Sequence, residues 1–177
     1  MSESSRQHKV KAPLTLTFSL ITCSTSRWNA LQRSEKLSDS SGDLITSKLE
    51  ENDHKVVSRT VVEDDAEMIK KAVTEALKDD RVDAVITIGG TGVSPRDVSI
   101  ETVTPMLSKI LPGFGELFRS LSYQTIGSSA ILSRAIAGIA EGKALFCIPG
   151  SINAATLCLD RLILPEAGHI VKHARES

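Results

Sequence analysis

Asp83-Ala-Val-Ile-Thr-Ile88-Gly-Gly-Thr-Gly92-Val-Ser-Pro-Arg-Asp97 is the stretch on which the fold turns. Residues 83–88 form a short apolar run that reads as a buried strand, and it ends abruptly in Gly89-Gly90-Thr91-Gly92. Upstream, Ile69, Ala72, Val73, Ala76 and Leu77 recur at i, i+3, i+4, i+7 and i+8, the apolar stripe of an amphipathic helix. Before that helix, Val56-Val-Ser-Arg-Thr-Val-Val62 is β-branched and reads as a second strand. Strand, helix, strand and glycine turn in that order describe a parallel βαβ unit.

The rest of the chain extends the pattern in both directions. Leu14 to Thr22 alternates and then turns continuously apolar, as a central strand does. Residues 1–12, MSESSRQHKVKA, read as a flexible tail, and 13–177 as a single domain. The polar stretch Ser24 to Ser38 is expected to be a loop. Asp39-Ser-Ser-Gly42 then leads into a helix with Leu44, Ile45, Lys48 and Leu49 on one face. Downstream, Ser99 to Leu107 is a short helix and Pro112 opens a helical stretch through Tyr123. Residues 135–140 and 143–148 form a hairpin around Glu141-Gly142. After Pro149-Gly-Ser151 a helix carries Ala154, Ala155, Leu157, Cys158 and Leu162, and Pro165 opens the last one. Strands alternating with helices predict an α/β fold, with a mostly parallel sheet and helices on both faces.

Composition narrows the function. Of 177 residues, 41% are hydrophobic and 24% charged, as in a water-soluble globular protein. The net charge is −1 and aromatics are 3%, which argues against nucleic acid as a partner. No run approaches the roughly 20 apolar residues of a membrane span. The first residues lack the apolar centre of a secretory signal, and the three cysteines, Cys23, Cys147 and Cys158, have no metal-type spacing. The expectation is a cytoplasmic protein with reduced thiols.

In open α/β sheets ligands bind beyond the carboxyl ends of the strands. Three glycine-containing segments belong there: 89–92, 112–116 and 149–151. Each can aim backbone N–H groups at an anion, or can simply be a tight connection. The first is neither a P-loop, lacking Gly-Lys-Ser/Thr, nor a dinucleotide fingerprint, having Pro95 where the third glycine belongs. Arg96 and Asp97 add an anion binder and a possible metal ligand. Asp64 has two readings. Asp64-x-x-Glu67 fits a helix capping box, and Asp64 also falls on the sheet edge where 89–92 should lie. Ser128, in a run of small residues, is a phosphate contact or a helix start. His169 and His173 are four apart on a helix, as metal ligands can be, but no supporting acid is evident and they read as a solvated face.

Taken together, Ile88-Gly-Gly-Thr-Gly-Val-Ser-Pro-Arg-Asp97, Pro112-Gly-Phe-Gly-Glu116, Pro149-Gly-Ser151, Asp39-Ser-Ser-Gly42 and Gly127-Ser-Ser-Ala130 ahead of Ser133-Arg134 resemble the molybdopterin adenylyltransferase family of molybdenum cofactor biosynthesis. The resemblance runs from about residue 13 to 175. It implies a three-layer α/β/α sandwich and a homotrimer or homohexamer. It also implies Mg²⁺-dependent transfer of AMP from ATP to the terminal phosphate of molybdopterin, releasing pyrophosphate. Carried onto this chain, Asp64 and Asp97 become the catalytic, Mg²⁺-holding carboxylates. Gly89, Gly90, Thr91, Gly92, Ser94, Arg96, Gly113, Gly115, Glu116, Ser128, Pro149, Gly150 and Ser151 become the cofactor-binding residues, with the glycine loops as phosphate cradles. The segment 24–38 departs from the shorter, glycine-containing loop of similar proteins, so a non-catalytic molybdopterin-binding scaffold is the alternative reading.

Overall fold

The computed structural model describes residues 15–35 and 38–176. The expected tail, 1–12, lies outside the described residues. Strands β1 (Thr17–Cys23), β2 (Lys55–Val62), β3 (Ala84–Ile88), β4 (Lys109–Ile110), β5 (Ile136–Ala140) and β6 (Lys143–Ile148) form one sheet in the order β2-β1-β3-β6-β5-β4. The first four in that order are parallel, and β5 and β4 continue the sheet antiparallel. The hairpin between β5 and β6 turns at Glu141 (φ 49°) and Gly142 (φ 71°), two left-handed residues that match the twist of the strands.

The helices are α1 (Thr25–Gln32), α2 (Ser40–Glu51), α3 (Ala66–Lys78), α4 (Ser99–Val103), α5 (Pro112–Ile126), α6 (Ile152–Cys158) and α7 (Leu164–Arg175). Alternate side chains of each central strand serve opposite faces. Phe18, Leu20, Ile86, Ile88, Phe146 and Ile148 pack with Ile45, Leu49, Phe118, Leu159 and Val171, beneath α2, α5, α6 and α7. Ile21, Val85, Leu145 and Cys147 pack with Ile69, Val73 and Val103, beneath α3 and α4. This is the three-layer sandwich that the alternating pattern implies, and β3, covered on both faces, is buried at every residue.

Four local features differ from the sequence reading. Residues 25–32 of the expected loop are helical. Ser24 caps α1 and its backbone carbonyl accepts from Trp28 N. None of its residues is buried, so it carries no apolar period to read. The two-residue β4 is too short to leave a pattern. Pro165 does not begin a separate helix: α6 runs through a π-turn, Leu159–Ile163, directly into α7. A π-turn widens the backbone ring and relieves the clash that a proline makes with a preceding carbonyl. The cap of α3 is Asp65, whose side chain accepts from Met68 N at 2.9 Å, and not Asp64. The chain stays extended one residue longer than the capping-box reading assumed.

At the end of β3, Gly89 has φ 100° and Gly90 φ 63°. A Cβ on Gly89 would lie 2.5 Å from the Cys23 carbonyl oxygen. Gly89→Ala therefore combines a left-handed strain with a backbone clash and is expected to cost roughly 3 kcal/mol, read as a lower urea midpoint at unchanged m-value. Asp65→Ala should cost about 1 kcal/mol by removing a helix cap, whereas Asp64→Asn leaves that cap intact and should cost less in the same measurement.

Candidate active site

The order β2-β1-β3 makes the winding reverse between β1 and β3, and a crevice opens beyond their carboxyl ends. The glycine loop fills this position because larger residues cannot. A Cβ on Gly90 would meet Ser99 Oγ at 2.4 Å and Asp64 Oδ1 at 3.2 Å, and one on Gly92 would meet Asp97 Oδ2 at 2.7 Å. The second loop lies back to back with the first, since a Cβ on Gly150 would be 3.1 Å from Gly89 Cα. Ser41 Oγ, at the start of α2, donates to Gly150 O at 2.7 Å and fixes it. Ser151 caps α6, so the N–H groups of that helix open beside both loops.

The result is a cavity of about 520 Å³. Gly89, Gly90, Thr91, Gly92, Asp97, Pro149, Gly150 and Ser151 line it together, as expected. Asp97 is held by its own turn: Ser94 N donates to Oδ2 at 2.9 Å and Asp97 N donates to Ser94 O at 2.8 Å. Asp64 is not part of the wall but stands behind the loop at Gly90. Its Oδ2 accepts from Thr25 N at 2.8 Å and Thr25 Oγ1 at 3.0 Å, so the first residue of α1 is docked on it. The two aspartates thus bracket one four-residue loop, through Gly90 and Gly92.

Other expected residues lie elsewhere. Ser94 and Arg96 are exposed on the outer part of the loop and do not line the cavity. Gly113, Gly115 and Glu116 form the first turns of α5, away from its wall. Gly115 has a packing role: a Cβ there would come within 2.6 Å of the Ala135 carbonyl, so helix and strand can close only without one. Glu116 is exposed. Ser128 belongs to a separate shallow hollow with Arg119, Tyr123 and Ile131.

Arg134 lines the same cavity, and sequence reasoning assigned it no role. From just before β5 its Nε donates to Thr91 O at 2.9 Å, Nη2 donates to Gly92 O and Nη1 to Glu101 Oε1. One guanidinium thereby ties down two successive carbonyls of the loop. The hydrogen bonds from Arg134 keep the Glu101 carboxyl below its ordinary range. Ser122, Thr125 and Asn153 add polar groups, and Ile126, Leu132 and Leu157 an apolar side. A second anchor lies behind the site. Asp39, 4% exposed, accepts from Thr22 Oγ1 at 2.8 Å, Gly42 N at 3.2 Å and Arg59 Nη2 at 3.2 Å, tying α2 to β1 and β2.

Two buried polar atoms, Thr87 Oγ1 and Ser99 Oγ, have no hydrogen-bond partner among the described residues. Ser99 Oγ occupies the place where a Cβ on Gly90 would point. Burial pushes the thiols of Cys23 and Cys147 up to about 12, so neither offers a thiolate to the site at neutral pH. Neither His169 nor His173 lies near the glycine loops; both line a different cavity. Among the described residues no helix is long and apolar enough to cross a membrane.

Residues 19–169 match the family model described as "Probable molybdopterin binding domain". The chain is 42% identical over 172 residues to "Molybdenum cofactor biosynthesis protein B" of Bacillus subtilis, covering 97% of each. It is 38% identical over 161 residues to a "Probable molybdopterin adenylyltransferase" of Methanocaldococcus jannaschii, covering 91% of this chain and 95% of that one. Among solved structures, the tungsten cofactor synthesizing protein MoaB from Pyrococcus furiosus superimposes with a TM-score of 0.82 at 40% identity, over 93% of this chain and 100% of that one. On the strength of its fold, its loop geometry and these relatives, the chain belongs to the molybdopterin-binding family of molybdenum cofactor biosynthesis proteins.

Proposed function

We propose that this protein transfers AMP from ATP to the terminal phosphate of molybdopterin, with Mg²⁺ held by Asp97 and Asp64. The observation that carries the reading is that Asp97, in the wall of a cavity lined by two glycine loops and a capped helix start, and Asp64, behind the first loop at Gly90, both stand against that loop. A relative named "Probable molybdopterin adenylyltransferase" supports it.

The reaction makes modest demands on side chains. A phosphate monoester has a second pKa near 6 and is mostly dianionic at neutral pH. Its oxygen attacks the α-phosphorus of ATP, the bond to the β-phosphate oxygen breaks, and pyrophosphate leaves with that electron pair. No proton has to be removed from the nucleophile. What must be offset is the repulsion of two polyanions. Among the described residues, Arg134 is the sole cationic side chain in the cavity wall and Asp97 the sole anionic one. Arg134 is already bonded to Glu101 and two carbonyls. Backbone N–H groups of 89–92 and of the α6 N-terminus supply part of the positive potential.

The donor set fits a hard divalent ion. Asp97 Oδ2 accepts a backbone N–H and no donor among the described residues bonds Oδ1. Asp64 Oδ2 is similarly engaged by Thr25, with Oδ1 on the loop side at Gly90. Carboxylate oxygens with room for water are what Mg²⁺ takes. Bound there, the ion would neutralise charge on the α-phosphate and the pyrophosphate. Thr25 then aims Asp64, and α1 has a purpose as the element that carries Thr25.

Incubating the protein with molybdopterin and Mg·ATP should give adenylylated pterin and pyrophosphate. Asp97→Asn should slow turnover by roughly 10²-fold or more while pterin affinity changes little. Wild-type turnover by that variant would remove the metal role, and pterin binding by the unaltered chain without an ATP-dependent product would select the scaffold reading.

The same proposal includes a homotrimer or homohexamer. Tyr123 and Ile131 are 64% and 82% exposed and share one shallow hollow on α5 and the turn after it. Packing such a patch against a second copy removes it from water. Ile131→Asp should shift the light-scattering mass toward the monomer; an unchanged mass would place the contact elsewhere.

A further inference from the structure

A second constellation lies on α7, apart from the glycine loops. His169 and His173 are one turn apart, with ring centroids 4.6 Å from each other and Nε2 atoms 2.8 Å apart. Their Nδ1 atoms face carboxylates: His169 lies 3.3 Å from Glu166 Oε2 and His173 lies 2.7 Å from Glu176 Oε2. The supporting acids that spacing alone did not reveal are therefore present, three residues before the first histidine and three after the second. Both rings border a cavity of about 410 Å³ together with Ser108, Lys109, Leu111 and Ile139.

Counting protons exposes a conflict. A carboxylate at Nδ1 favours the tautomer with hydrogen on Nδ1, which leaves a lone pair on Nε2. Applied to both rings, this turns two lone pairs on each other at 2.8 Å, where they repel. A cation between them resolves the conflict. A proton can serve, and so can a metal ion. Carboxylate–histidine pairs of this kind are how metal-binding imidazoles are oriented. Among the described residues the charges facing the pair include the two glutamates, Lys172, whose Nζ is 3.6 Å from Glu176 Oε1, and Lys109 on the cavity rim.

We propose that His169 and His173 form a two-histidine site for a borderline divalent transition cation, represented by Zn²⁺, with Glu166 and Glu176 orienting the rings. With bonds of about 2.0–2.1 Å at a tetrahedral angle, the two Nε2 atoms would sit about 3.3 Å apart, a separation that a small rotation of either ring achieves. Imidazole nitrogen selects Zn²⁺, Ni²⁺ and Cu²⁺ over Mg²⁺, so the site does not compete for the ion of the glycine loops. The remaining coordination positions belong to water or to a small donor entering from the cavity. Metal bridging i and i+4 also staples the last turns of α7.

The test is a Zn²⁺ titration of the full-length protein, followed by calorimetry and by long-range ¹H–¹⁵N spectra of the imidazoles. One equivalent should bind, shifting the Nε2 resonances of both rings and raising Tm. His169→Gln and His173→Gln should each weaken binding at least 10-fold, and Glu166→Gln about 10-fold. His54→Gln and His8→Gln should leave it unchanged, and Mg²⁺ should shift none of these resonances. Equal Zn²⁺ affinity in the His169→Gln/His173→Gln double variant, with helical circular dichroism unchanged, would overturn the proposal. So would unmoved Nε2 resonances in the unaltered protein. Both outcomes are independent of adenylyl transfer.

Discussion

The carbonyl oxygen of Cys23 and the α-carbon of Gly89 come so close that no side chain can stand between them. That contact is where β1 and β3 end side by side, and it is where the winding of the sheet reverses. Because residue 89 has no Cβ, the chain leaves β3 in a left-handed conformation and lays four residues flat across the strand ends. The loop at 149–151 can then rest on Gly89 from the other side. Every feature of the cavity follows from this stacking of two bare backbones, since a wider separation would dissolve the shared floor.

The strand–helix alternation was legible because central strands of a parallel sheet are buried on both faces and show as unbroken apolar runs. Residues 84–88 and 143–148 are buried throughout. The amphipathic stripe of α3 was legible for the opposite reason, being exposed on one side and buried at Ile69, Val73, Ala76 and Leu77. Helix α1 was not, because a helix that buries nothing has no period. It is kept in place by Ser24 at its cap and by the bonds between Thr25 and Asp64, which join residues 39 positions apart.

The site divides along the same line. Glycine loops announce themselves locally, and two of the three expected ones meet in the cavity. The third, 112–116, carries the same residue type for a different purpose, close approach of α5 to the Ala135 carbonyl. Composition cannot separate those uses of glycine; only the nearest atom can. Arg134 shows the converse case. It acts on Thr91 and Gly92 across more than forty residues, and nothing in Ser133-Arg134-Ala135 marks it as different from a surface arginine. Gly115 and Arg134 are nevertheless one device, because the helix that closes on Ala135 fixes the backbone next to the guanidinium.

The two readings of Asp64 show how a one-residue shift decides where a carboxylate lies. Had Asp64 capped α3, its carboxylate would have been spent on backbone N–H groups at the helix start, pointed along the helix and away from the crevice. Asp65 takes that task. Asp64 is left on the extended backbone leaving β2, where Thr25 engages one oxygen and the other lies beside Gly90. The near-neutral charge of the chain acquires meaning in the same place. In the proposed reaction, one arginine in the cavity wall among the described residues, already committed to Glu101 and the loop carbonyls, cannot by itself balance a phosphate monoester and a triphosphate. In that proposed reaction the deficit falls to main-chain amides and to a Mg²⁺ ion on the carboxylates. An excess of lysine would not serve as well, because a flexible ammonium bound to one phosphate group does not bridge two.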